Sequence, residues 1–138
     1  MRKQVLIIDG QGGRLGRSLI EAIRESCPQA EITAVGTNGI ATAAMAKAKP
    51  DYIATGENSV VVCCRTAELI VRPIGIVIAD SMLGEITPAM AVAVGQSRGE
   101  KLLLPVGSHC AKTVVGAEEL SVSAMVEKAA ALVREKIN

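Results

Sequence analysis

Short apolar runs alternate along the chain with longer stretches whose apolar residues recur every three or four positions. Residues 4–8 are the first such run, ended by Asp9 and Gly10, and read as a buried strand. Over Arg14–Ser26, the residues Leu15, Leu19, Ile20 and Ile23 fall at helical spacing with charges between them, and Pro28 stands where a helix stops. Residues 31–35 predict a second strand closed by Gly36. Asn38 suits the N-cap of an alanine-rich helix over 40–48, which ends before Lys49-Pro50. Tyr52–Thr55 predicts a third strand, and after Gly56, Asn58 suits the cap of a short helix to about Cys64. Residues 68–71 predict a fourth strand. Pro73 then fits the first turn of a helix carrying Ile74, Ile76, Val77, Ile78, Met82 and Leu83, apolar nearly all round and ended by Gly84. Thr87-Pro88 opens another helix to about Ser97. Residues 101–106 predict a fifth strand and 113–115 a short sixth. Ser121 caps a last amphipathic helix to Ile137, with Val122, Met125, Val126, Ala129, Leu132 and Val133 on one side. Strand followed by helix, repeated, predicts a mainly parallel sheet of five or six strands with helices on both faces.

Composition narrows this picture without changing it. The 138 residues make one domain, and no proline- or serine-rich linker or charge block divides them. Apolar residues are 49% of the chain but aromatics only 1%, so Val, Ile, Leu, Ala and Met must fill the core. A net charge of +1 lacks the basic footprint of a nucleic-acid binder. Tyr52 is the only aromatic besides His109, too little for a base-stacking platform, and no nucleic-acid partner is expected. The four cysteines, Cys27, Cys63, Cys64 and Cys110, include no Cys-x-x-Cys pair and read as reduced thiols of a cytoplasmic protein. The apolar runs at 5–8 and 74–79 are too short for a signal sequence or a membrane span, so no membrane partner is expected.

The chemistry concentrates after the first strand. Gly10, Gly13 and Gly16 are spaced Gly-x-x-Gly-x-x-Gly, with a further glycine at Gly12. Glycine permits a tight turn out of a strand and has no Cβ to block a pyrophosphate. The helix opening near Gly13 aims its free amides and dipole at that place. Gly16, one turn in, lets the helix pack closely on the strand. The bland alternative is that these glycines serve helix–strand packing alone. The strand–turn–helix context makes the fold Rossmann-like, a three-layer α/β/α domain over residues 1–138.

The turn resembles the extended and atypical branches of the short-chain dehydrogenase/reductase superfamily, whose fingerprint often carries Leu or Ile before the last glycine, as Leu15 does here. The likeness covers roughly the first 35 residues. It implies that Gly10, Gly13, Arg14, Leu15 and Gly16 border a pyrophosphate. The catalytic Tyr-x-x-x-Lys of that superfamily is absent, because Gly56 stands fourth after Tyr52. Its acidic residue at the end of the second strand is absent too: Gly36-Thr37-Asn38 leaves Thr37 and Asn38 as weaker ribose donors. No arginine there marks a 2′-phosphate, so the cofactor class stays at NAD(P) or another nucleotide. A second likeness covers nearly the whole chain. The segments 8–13, 36–38, 54–58, 72–76 and 83–88 are similar to the recurrent blocks of a small bacterial family, domain of unknown function 3842. That resemblance brings no activity and implies a free-standing cytoplasmic protein.

In doubly wound sheets the ligand lies beyond the carboxyl ends of the strands. Those ends carry Asp9, Gly10, Gln11, Gly12, Gly13, Arg14, Leu15 and Gly16, then Thr37 and Asn38, then Thr55, Gly56 and Glu57, then Arg72-Pro73 and residues 106–109. They line a pocket or serve only as caps. Glu57 and Glu85 each either meet a ligand or favour the positive end of the next helix. Asp80, late in the apolar helix, needs a partner such as Arg72 or Ser81. His109 is a candidate acid or base. His109, Cys110, Cys63 and Cys64 have no chelating spacing, and no metal is expected. Three functions follow. The leading one is a nucleotide- or dinucleotide-binding protein, a sensor or accessory subunit, holding phosphate at the turn over 10–16. The second is a small homo-oligomeric oxidoreductase or lyase combining Glu57, Asp80 or His109 across subunits, with the apolar segment 74–94 as its interface. The third is an interaction module whose glycines only pack.

Overall fold

The computed structural model describes residues 3–106, 113–117 and 120–138. Its sheet holds five strands, β1 (Gln4–Asp9), β2 (Glu31–Gly36), β3 (Tyr52–Thr55), β4 (Leu69–Pro73) and β5 (Glu100–Leu104). All pair in parallel, in the order β3-β2-β1-β4-β5. That is the strand order of the Rossmann type, and the predicted α/β class stands. The helices are α1 (Arg14–Ser26), α2 (Gly39–Ala46), α3 (Glu57–Cys64), α4 (Pro88–Gln96) and α5 (Val122–Ile137).

Alternation along each strand sorts the apolar residues into two layers. Val5, Ile7, Ile32, Ala34, Val71, Leu102 and Leu104 face α1, α2 and α5, meeting Leu19, Ile20, Ile23, Met45, Val126 and Val133. Leu6, Ile8, Val35 and Ile70 face the other way, toward Val60 and Cys64 of α3 and Met90 and Val94 of α4. The central strands β1, β2 and β4 are thus covered on both faces, while the edge strands β3 and β5 stay partly exposed. Of the expected face of α5, Val126, Ala129 and Val133 are buried, whereas Val122 and Leu132 stay exposed.

Three caps form as expected. Asn38 Oδ1 accepts from the Ala41 amide at 2.8 Å, Thr87 Oγ1 from Met90 at 3.2 Å, and Ser121 Oγ from Ala124 at 3.1 Å. Asn58 does not cap α3, since that helix begins one residue earlier, behind Gly56 at φ 100°. The largest departure is the segment after β4. Pro73 still belongs to the strand, opposite Leu104, and only a 3-10 turn (Ile74–Val77) follows. Residues 78–86 then form a strap of turns with left-handed backbone at Asp80, Met82 and Leu83 (φ 66°, 56° and 58°). Ile76 and Ile86 sink into the core on either side of it, while the Leu83 side chain at its tip is wholly exposed. A run this apolar cannot announce its own period, and its β-branched residues and Gly75 favour helix poorly. The sixth strand is also absent: residues 113–117 form a turn, with the Ala117 amide on the Val114 carbonyl at 3.2 Å. No helix among the described residues is long and apolar enough to cross a membrane.

Candidate functional site

The chain leaves β1 outward to β2 and β3, then returns to the other side of β1 for β4 and β5. This reversal opens a crevice beyond the carboxyl ends of β1 and β4. A cleft of about 440 Å³ lies there, lined by Asp9, Gly10, Gln11, Gly12, Gly13, Arg14 and Leu15, with Pro73, Met82 and Val106 opposite. Its volume is that of a small-molecule site.

The four glycines of the turn have different reasons to be glycine. A Cβ on Gly13, which sits at φ 71°, would lie 2.5 Å from the Ala41 carbonyl oxygen of α2. On Gly16 it would meet Met45 Sδ at 2.5 Å and Asp9 Cβ at 2.9 Å, and on Gly10 it would meet Thr37 and Glu85. Gly13 and Gly16 are thus needed for packing inside the protein, whereas Gly10 meets only the ends of side chains. A Cβ on Gly12 would meet nothing within 4 Å, and Gly12 has no positive φ to explain it.

The amides of the turn divide in the same way. Asp9 takes two of them: Gly10 donates to Oδ1 at 2.8 Å and Gly16 to Oδ2 at 2.7 Å. Burial pushes the Asp9 carboxyl up from its ordinary value, against those two bonds and with help from the nearby charge of Glu85. Gln11 donates to Glu85 Oε1 at 2.8 Å, and Gly13 to the Gly10 carbonyl at 3.0 Å. The amides of Gly12, Arg14 and Leu15 have no hydrogen-bond partner among the described residues. They stand at the amino end of α1, with no side-chain cap at Gly13 and with the Arg14 side chain exposed.

Thr37 and Asn38, at the end of β2, turn toward Glu85. Asn38 Nδ2 donates to its Oε1 at 2.6 Å, and the Thr37 hydroxyl donates to the same oxygen. Burial pushes the Glu85 carboxyl up, but the bonds from Thr37, Gln11 and Asn38 outweigh it and hold it below the ordinary glutamate value. The place expected to meet a ribose is thus occupied by the chain's own carboxylate. Nothing in the sequence around Glu85 marks this role, because it depends on how the strap folds back.

The third group of candidates does not line the cleft. Thr55 pairs its hydroxyl with Thr42 at 2.7 Å, Gly56 binds the Gly36 carbonyl through its amide, and Glu57 accepts from the Thr87 hydroxyl at 2.6 Å. Asp80 is exposed on the strap rather than buried in a helix; Arg72 makes no hydrogen bond to it, and the Ser81 hydroxyl donates to the Gly75 carbonyl. His109 and Cys110 lie outside the described residues. No group of three or more metal-ligating side chains occurs among the described residues. Within the segment 74–94, Ile76, Ile86, Met90 and Val94 lie inside the core, while Leu83 and Val92 are exposed.

From the sequence, Arg72 is expected at a strand end that lines the pocket or serves as a cap, and as a partner for Asp80. Arg72 is fully buried beside Cys64, and none of its guanidinium nitrogens has a hydrogen-bond partner among the described residues. Burial pushes it down to about 10, with Cys64 pulling the other way, and it remains charged at neutral pH.

No curated protein matches this chain. Among solved structures, the crystal structure of a dodecameric FMN-dependent Ubix-like decarboxylase from Escherichia coli O157:H7 is similar at 16% identity, with a TM-score of 0.48, over 97% of this chain and 92% of that one. The family model described as Domain of unknown function (DUF3842) matches residues 4–138, and the chain belongs to that family.

Proposed function

We propose that the domain binds a nucleotide through its phosphate, in the cleft beyond β1 and β4. The observation that carries this reading is the set of unpartnered amides at Gly12, Arg14 and Leu15, at the amino end of α1. Such amides and the helix dipole favour an anion. Gly12 supports the same reading, since the absence of its side chain serves no packing and leaves the amide open to close approach. Asp9 and Glu85 already satisfy the amides of Gly10, Gln11 and Gly16, which confines the phosphate to the Gly12, Arg14 and Leu15 side. An NAD(P)-type dinucleotide fits only if Glu85 gives up Thr37 and Asn38. A mononucleotide needs no such change. The protein then serves as a nucleotide sensor or accessory subunit, acting as a homo-oligomer.

Thermal unfolding against NAD(H), NADP(H), FAD, ATP, AMP, coenzyme A and inorganic phosphate tests this. A ligand at a hundred times its Kd stabilises the native state by about 2.7 kcal/mol, several degrees for a domain of this size. A shift with none of them, in folded protein freed of carried-over ligand, leaves the turn as packing alone.

A further inference from the structure

Donors from two separate elements converge on one oxygen above the glycine turn. The Gln11 amide and Asn38 Nδ2 donate to Glu85 Oε1 at 2.8 Å and 2.6 Å, and the Thr37 hydroxyl joins them. Asn38 Nδ2 also donates to the Gln11 carbonyl at 3.0 Å, tying the end of β2 to the turn. A cluster of neutral donors that holds a carboxylate oxygen in this way suits a phosphate oxygen equally well. Glu85 is delivered by the strap 78–86, whose backbone is left-handed at three non-glycine residues, a conformation that L side chains resist. Its base is braced, with the Asp80 amide on the Ile86 carbonyl at 2.7 Å, and its tip is closed by bonds within the strap alone, Gly84 to the Asp80 carbonyl and Glu85 to the Met82 carbonyl, with Leu83 wholly exposed. Met82 lies against Gly10 and lines the cleft. Between the buried anchors Ile76 and Ile86, the hydrogen bonds that tie the strap to the turn and to the end of β2 among the described residues all end on Glu85.

We infer that Gln11, Thr37 and Asn38 form a second anion subsite, that Glu85 is an internal anion occupying it, and that a ligand bearing two linked phosphates enters by displacing Glu85 and lifting the strap. This rests on the phosphate site proposed above at Gly12, Arg14 and Leu15. It makes Glu85 a gate that separates singly from doubly phosphorylated ligands.

The test titrates inorganic phosphate and inorganic pyrophosphate, by calorimetry, into the wild-type protein, E85Q, and E21Q as a control for surface charge. The Met82 methyl signal is followed by NMR. Salt at about 0.15 M screens exposed charges beyond roughly 8 Å. A strap closed nine-tenths of the time lowers apparent affinity about tenfold. E85Q is therefore expected to gain affinity for both anions through the lost charge, but about tenfold more for pyrophosphate than for phosphate, with E21Q matching wild type throughout. In the wild-type protein, pyrophosphate and not phosphate should move the Met82 signal toward its solvent-exposed position, a readout that needs no variant. Equal gains for pyrophosphate and phosphate in E85Q, or a Met82 signal that stays fixed at saturation, overturn the gate and leave the phosphate site standing. No binding of either anion by the folded proteins overturns both.

Discussion

Replacing Gly12 by valine puts a side chain into open space, whereas any side chain on its neighbour Gly13 collides with the backbone of α2. Gly12→Val should change stability by no more than about 0.5 kcal/mol, as for a surface substitution, while abolishing phosphate or nucleotide binding. Gly13→Ala should cost about 1–3 kcal/mol from its left-handed φ alone, whether or not a ligand binds. Urea unfolding and ligand titration on the two variants separate site from packing, and a Gly12→Val protein that binds normally sinks the site. Arg72 offers a second test at this scale. A buried, unpaired guanidinium is destabilising, and an apolar side chain of similar length avoids its desolvation. Arg72→Met is expected to stabilise the domain by about 1–4 kcal/mol, read from the urea midpoint at constant slope. A loss of stability would mean that the guanidinium has a bound partner in solution. Of all this, only the glycine spacing was legible in the sequence. Which glycines pack, and which do not, depends on Ala41 and Met45, residues that the chain brings up later.

Glu85 joins the strap to the turn and Asp9 holds the turn itself, and the two carboxyls respond to pH in opposite directions. Glu85 lies below its ordinary 4.5, so its contribution is present above that value and is lost as pH falls through its folded-state pKa. Asp9 lies above its ordinary 3.8, so the folded state holds its proton more tightly. Its contribution is present below 3.8 and is lost as pH rises through its folded-state pKa. Unfolding free energy measured from pH 3 to 7 should therefore lose its acid-side fall in Glu85→Gln and its opposing slope in Asp9→Asn. An unchanged profile in Glu85→Gln would mean that the strap is not held by that carboxylate. Most elements were readable in advance because each has a clear period and a terminal signal: α1 with Pro28 beyond it, α4 behind Thr87-Pro88, α5 behind Ser121. The strap was not, because an apolar run contains nothing to distinguish a buried helix from a turn pinned at Ile76 and Ile86.

At the scale of the molecule, the sheet ends in β3 on one side and β5 on the other, and β3 keeps Tyr52 and Ile53 exposed. An unpaired apolar edge is a template for another strand. If the homo-oligomer proposed above forms there, sedimentation of the wild-type protein will show it, and Ile53→Lys will return the monomer mass. A wild-type monomer at tens of micromolar rules the assembly out. The sequence by itself determined the α/β class, the five strands, most of the helices and the glycine spacing of the turn, because periodicity, caps and glycine spacing are local and survive in one dimension. Tertiary structure alone decided that Glu85 closes over that turn, that Glu57 and Asp80 stand outside it, and that Arg72 is buried without a hydrogen-bond partner among the described residues. Each of those follows from contacts between residues dozens of positions apart, which no local pattern encodes.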